Sequence, residues 1–285
     1  MEIREAEMSF FKTFPFASLV LEDIVTFSNK DLNTDDFPET CTDTLFRAEK
    51  IYVQFNIIDI IQGHYIIKRI LATSGELSLF TDSNGFTNYK LFKKSVSGIN
   101  NEQTLELELF RLRDFKLLMK NTYKDLYISG NVRDLMFKGK FGKSEFSFIT
   151  GGDLYLDSFK REKILYAENA KINVKVNFTA KDSIYTIDKG ILVYNDLRFE
   201  TKGLIRSGND LYSDIQVEGN NLNIKSLIRA IPAYLTVRCN EYSPEGKADI
   251  KLSVQGNFTG TEVPAINSEF IINRGSIQYP GLKTL

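Results

Sequence analysis

The sequence predicts an all-β protein, its strands mainly antiparallel, with a few short helices. Three observations carry that prediction. Apolar and polar residues alternate with period two along most of the chain, turn signals recur at short intervals, and the aromatic complement is 22 Phe and 13 Tyr with no Trp. Alternation puts successive side chains on opposite faces of a strand, so it marks strands with one wet and one apolar face. Phe and Tyr favour strands and bring large apolar area with them.

The clearest alternation lies in three stretches. In KINVKVNF, Ile172, Val174, Val176 and Phe178 alternate with Lys171, Asn173, Lys175 and Asn177. In KADIKLSVQG, Ala248, Ile250, Leu252 and Val254 share one face, opposite Lys247, Asp249, Lys251 and Ser253. In TLELELFRLRD, Leu105, Leu107 and Leu109 alternate with Glu106 and Glu108. Shorter candidate strands fall at 18–27, 50–54, 66–72, 76–81, 125–129, 135–141, 144–150, 184–187, 197–205, 211–218 and 269–273. The turn signals between them are SNG at 83–85, SGN at 129–131, GG at 151–152, SGND at 207–210 and PEG at 244–246.

Helical pattern is confined to two places. FNIIDIIQG predicts a short helix with Asn56 as its cap and Gly63 as its stop, and NNLNIKSLIRAIP predicts one over about 224–230, ended before Pro232. Helices this short are unstable alone, so both must pack on the sheet. No low-complexity linker divides the chain. It reads as one sheet-rich region over 1–285, and a subdivision, if there is one, falls near 98–103.

Composition excludes several functions. The 36 basic and 37 acidic residues give a net charge of -1, without the basic excess that phosphate-backbone binding requires, so nucleic acid is not an expected partner. The N-terminal residues contain acidic side chains where a signal peptide is basic, and no apolar run approaches 18 residues, so the chain as written is expected to be soluble. The two cysteines, Cys41 and Cys239, form neither a CxxC motif nor a disulfide framework, and whether they are bridged stays open.

Catalytic chemistry finds no foothold. His64 is the single histidine, and no GxSxG, P-loop or GxGxxG is present. Most carboxylates sit on the wet positions of alternating strands, where solvation is their role. The expectation is a non-enzyme with no catalytic residue, no metal and no cofactor. Two NFT tripeptides, at Asn177 and Asn257, fall within strand patterns and are read as chance matches to the glycosylation acceptor.

The apolar faces have two readings. Either two sheets close them into a dry sandwich core, or a curved sheet leaves them lining a trough for acyl chains; both need the same alternation. Resemblance to a known family bears on the choice. MSFFKTFPFASLVLEDIVTFSN (8–29) resembles the opening of the bacterial AsmA family, a strand ending in an sFFpsFP-like turn that leads into an alternating sLxLxDV strand. The stretch 45–92, with its RAEKIYVQFNIIDIIQGHYIIKRIL and GELSLFTDSNGFTNY patterns, is similar to the family's next segment. DKGILVYNDLRFETKGLIR (188–206), GNNLNIKSLIRAIP (219–232) and the terminal 246–285 resemble later units of the same family, and 98–178 is the least similar part.

That resemblance implies a curved, taco-like β-groove belonging to a bridge-like lipid-transfer protein. It implies a periplasmic body anchored in the inner membrane by an N-terminal helix missing here, so the chain reads as a fragment of a longer protein. It further implies phospholipid or another acyl lipid as cargo, a role in outer-membrane biogenesis and protein targeting to the membrane, and envelope proteins as further partners. The expected groove lining is Leu105, Leu107, Leu109, Ile172, Val174, Val176, Phe178, Ala248, Ile250, Leu252 and Val254. The alternative is a scaffold that assists outer-membrane assembly without lipid cargo.

Overall fold

The computed structural model describes residues 1–9, 15–29, 31–62, 67–89, 108–141, 145–207, 211–232, 236, 243–258 and 264–278. Strands make up 75% of the described residues and helices 7%, against the roughly 20–25% strand of an average domain. The strands are β1 (Glu5–Ser9), β2 (Phe16–Phe27), β3 (Thr44–Asn56), β4 (Ile67–Thr81), β5 (Leu109–Asn121), β6 (Leu126–Phe141) and β7 (Glu145–Arg161). They continue as β8 (Ile164–Lys181), β9 (Ile184–Tyr194), β10 (Leu197–Arg206), β11 (Leu211–Asn223), β12 (Ser243–Phe258) and β13 (Ala265–Gln278). All thirteen form one sheet whose spatial order is the sequence order. Every neighbouring pair is antiparallel except β4 and β5, which run parallel. β1 and β13 are the two edges, so the sheet is not closed into a barrel.

The strands are long. β8 has 18 residues and β10 has 10, contours of roughly 59 and 33 Å at about 3.3 Å per residue. The shorter candidate strands read from the alternation span 4–10 residues, about 13–33 Å. The difference lies in kinks that the chain passes through without leaving the sheet. Asp23, Ser74 and Asp114 have φ of 50°, 51° and 57° in mid-strand, and each drops out of the ladder while pairing resumes on both sides. Asp, Asn and Ser tolerate this left-handed region better than branched residues do. An inserted residue bends its strand and increases local twist. Asn169 in β8, Asn221 in β11 and Gly246 in β12 repeat the device at φ of 51°, 56° and 121°.

Three expected turns are therefore not turns. Residues 129–131 lie inside β6, 151–152 inside β7, and 244–246 inside β12. The candidate strands 66–72 and 76–81 are the two halves of β4, and 125–129 and 135–141 are halves of β6. SNG at 83–85 is a turn, held by the Asp82 carboxylate, which accepts from the Asn84 and Phe86 amides at 2.9 and 2.8 Å. The region 98–103 lies outside the described residues.

Both short helices form where expected. α1 (Ile57–Ile61) is capped by the Asn56 side chain and packs on β3. α2 (Ile224–Ala230) is capped by Asn223 and packs on β11 and β12. The main cluster of buried residues comprises Ala48, Ala72, Leu112, Phe115 and Val132 on adjacent strands. Phe115 fits because it lies over Gly75, where an added Cβ would come within 2.6 Å of its ring. A satellite cluster on the opposite face joins Leu32, Phe37 and Phe80, with Leu118 packed against them.

Candidate lipid-facing surface

Residues paired across a sheet project from the same face, so the register identifies which side chains share a surface. One row runs Ala6, Leu21, Ile51, Ala72, Leu112, Leu135, Gly152, Val174, Leu192 and Phe199 through consecutive strands. Phe199 lies over Gly219, within 2.9 Å of where its Cβ would be, and the row continues through Ile250 to Phe270. It touches all thirteen strands and contains no polar side chain. At about 4.8 Å between strands, the row is roughly 58 Å long.

A neighbouring row links Val176, Gly190, Thr201, Val217 and Leu252. Beside it, aromatic rings form a ladder across five strands: Phe110 to Phe137 at 6.1 Å, then Phe148 at 5.8 Å, Phe178 at 4.8 Å and Tyr185 at 5.7 Å. Ring spacings of this size follow the strand spacing and suit offset aromatic contact. Charge is scarce on this face and sits near its margin, where Lys68 pairs with Glu108 at 3.2 Å. The Tyr194 hydroxyl, also on this face, has its pKa raised by burial.

Outside the Leu32, Phe37 and Phe80 cluster, the opposite face is largely polar. Its matching row reads Glu22, Lys50, Thr73, Arg113, Asp134, Asp153 and Asn173. Lys50 meets Glu22 at 2.7 Å, and that hydrogen bond raises the lysine pKa. Arg111 forms a two-pronged pair with Asp134, which holds the carboxyl below its usual range and raises the guanidinium. Asn173 donates to Asp153 at 2.6 Å.

The structure places the expected lining residues as follows. Ile172, Val174, Val176, Phe178, Ile250, Leu252 and Val254 lie on the apolar face and are half-buried, and Ala248 lies there at 3% exposure. Leu109 is the correction. It pairs with Arg69 and Lys138 on the polar face, because the adjacent Phe110 takes the apolar side and stacks toward Phe137. Leu105 and Leu107 lie outside the described residues. Sequence reading missed Leu135, Leu192, Phe199 and Phe270, whose strands were recognised but whose membership of one continuous row depends on register.

Among the described residues no second sheet covers the apolar face. α1 packs mainly on β3 and α2 mainly on β11 and β12, with Ser226 Oγ of α2 donating to Asp196 in the β9–β10 turn at 2.5 Å. Among the described residues no group of three or more His, Cys, Asp or Glu converges as a metal site would. Cys41 is exposed and free, and His64 and Cys239 fall outside the described residues. No described helix is long and apolar enough to cross a membrane. No family model, no curated protein and no solved structure matches the chain.

Proposed function

We propose that the apolar face is a lipid-holding surface and that the protein works without catalysis, as a β-groove module that carries phospholipid or another acyl lipid. The supporting observation is the thirteen-strand row with no polar member, buried at Ala72 and Leu112, half-buried to exposed along the rest, and under no second sheet among the described residues. An acyl chain exposed to water costs about 0.8 kcal/mol per CH₂, and contact with such a surface removes that cost without chemistry. The left-handed residues Asp23, Ser74 and Asp114 are local bends of the kind that a trough built from long strands requires. Headgroups remain in water at the open side. The resemblance to the AsmA family is the ground for the setting: a periplasmic body anchored in the inner membrane, acting in phospholipid transport, outer-membrane biogenesis and protein targeting to the membrane.

Native mass spectrometry of protein purified without detergent tests the reading. The expected result is a set of adducts at phospholipid masses that organic extraction removes. Lipid-free protein that also fails to take up fluorescent phospholipid from vesicles would favour the scaffold reading, in which the chain holds envelope proteins together and carries no lipid.

A further inference from the structure

The polar face carries a cavity of its own. It measures about 280 Å³ and is lined by Arg133 on β6, Asp153 and Tyr155 on β7, Lys171 and Asn173 on β8, and Asn195 in the β9–β10 turn. Local irregularities of the sheet assemble it. Pairing of β6 with β7 passes from Val132–Leu154 directly to Asp134–Asp153, so Arg133 is an extra residue that leaves the ladder. Tyr155 sits on the strand between Arg133 and Lys171, pairs with Lys171, and donates from its hydroxyl to Asn169 Oδ1 at 3.4 Å. β9 ends at Tyr194, and the next residue closes on β8 at two points. The Asn195 amide donates to Lys171 O at 2.8 Å, and Asn195 Oδ1 accepts from the Lys171 amide at 2.9 Å. That fixes the carboxamide and leaves its NH₂ without a partner among the described residues. Charge in the cavity is unequal. Asp153 is the one carboxylate in its lining, and Asn173 already donates to it at 2.6 Å. Arg133 and Lys171 make no ion pair among the described residues.

We infer that this cavity binds a small organic anion, an oxyanion group carried on a flat apolar body the size of a single ring. The planar Arg133 fork and the Lys171 ammonium supply charge-assisted hydrogen bonds to a carboxylate or phosphate. The Asn195 NH₂ adds a neutral donor. The Tyr155 ring, 37% exposed, and the Val193 side chain, also in the lining, take the apolar part. Size sets the upper limit. Ligand pockets run from about 300 to 1,000 Å³, so a cavity at the foot of that range has no room for a dinucleotide or a whole phospholipid. The site lies on the face opposite the apolar row, and the inference does not depend on lipid being carried.

Isothermal titration calorimetry of the full chain with phenyl phosphate and with benzoate reads the outcome. Both should bind saturably at one site per chain. Inorganic phosphate, which lacks the ring, should bind about tenfold more weakly than phenyl phosphate, and benzyl alcohol, which lacks the charge, should not bind. Arg133→Gln and Lys171→Gln should each weaken phenyl phosphate by about tenfold or more, the loss of one charge-assisted hydrogen bond. Both side chains are exposed, so the melting temperature should stay at the parental value in each variant. Lys175→Gln removes the next cation along the same face of β8, outside the cavity, and should bind as the parent does. Absence of saturable binding by phenyl phosphate and benzoate overturns the inference, as does parental affinity in Arg133→Gln or Lys171→Gln. So does a loss in Lys175→Gln equal to theirs, or inorganic phosphate bound as tightly as phenyl phosphate.

Discussion

A charge placed on the apolar face separates an open lipid surface from a sealed core. Val176 is half-buried in β8 and stands between Thr150 on β7 and Gly190 on β9, so a carboxylate there keeps part of its contact with water. Val176→Asp gives up about half of a full valine burial, about 1 kcal/mol. The lower strand propensity of Asp adds up to about 1 kcal/mol. The sum is about 2 kcal/mol, which a urea slope of about 3 kcal/mol/M for a chain this size turns into a midpoint drop of about 0.7 M. In a sealed core the same carboxylate would be unpaired and dry, with a cost above about 4 kcal/mol and a drop above about 1.3 M. Leu252→Asp, in the same cross-strand row, should behave alike, and Asn177→Asp on the exposed face should change neither stability nor binding. Paired with photo-crosslinking to a phospholipid probe, the expected result is lost crosslinking at Val176 and Leu252 with most of the midpoint retained. A large midpoint drop at both sites, in a parent that never crosslinks lipid, would refute the open surface.

Asn88 is fully buried, accepts from the Phe80 amide and donates to Ser78 O and Ser28 Oγ; Asn88→Ala should cost about 3 kcal/mol in urea unfolding, because it strands buried backbone groups. Gly75→Ala should destabilise by about 2 kcal/mol or more, since its Cβ would press on Arg47 O and the Phe115 ring. Asp134 has a folded pKa held below the unfolded value near 3.9, so its contribution is present above that pH and lost as pH falls through the folded pKa. With both partners about a third exposed the contribution is at most about 1 kcal/mol, and Asp134→Asn should flatten the acid limb of a stability–pH curve by that amount. Replacing Cys41 and Cys239 together by Ser should leave the melting temperature within a few degrees, with Cys41 exposed and free.

The fold class and both helix positions were legible because they depend on local pattern: alternation for the strands, and an Asn cap with a following apolar run at Asn56 and Asn223. Strand lengths were not legible. At Ser74 the chain inserts a left-handed residue, the alternation slips by one, and Gly75 returns to the apolar face beside Ala48. In sequence such a slip looks like the end of a strand, and SGN or PEG at the slip looks like a turn. Leu109 failed for a related reason. Two apolar residues, Leu109 and Phe110, stand side by side, and alternation alone does not say which one takes the apolar face; the Phe110–Phe137 contact decides it. The parallel β4–β5 pair was equally hidden, since strand direction leaves no mark on alternation.

A sheet with one apolar face removes that face from water by taking a second layer, by closing into a barrel, or by contact with another molecule. Among the described residues there is no second layer, and the terminal strands do not pair with each other. Ala72 and Leu112 in the row are buried, yet Leu192 remains 36% exposed. Lipid along the face would relieve what is left. Phe270 is the last member of the thirteen-strand row, so Phe270→Asp should lower phospholipid crosslinking. Ile271 points the other way, paired with Asp249 on the polar face. Ile271→Asp should therefore leave crosslinking at its parental level, and a loss at both positions alike would mean that lipid is not held by the apolar face alone.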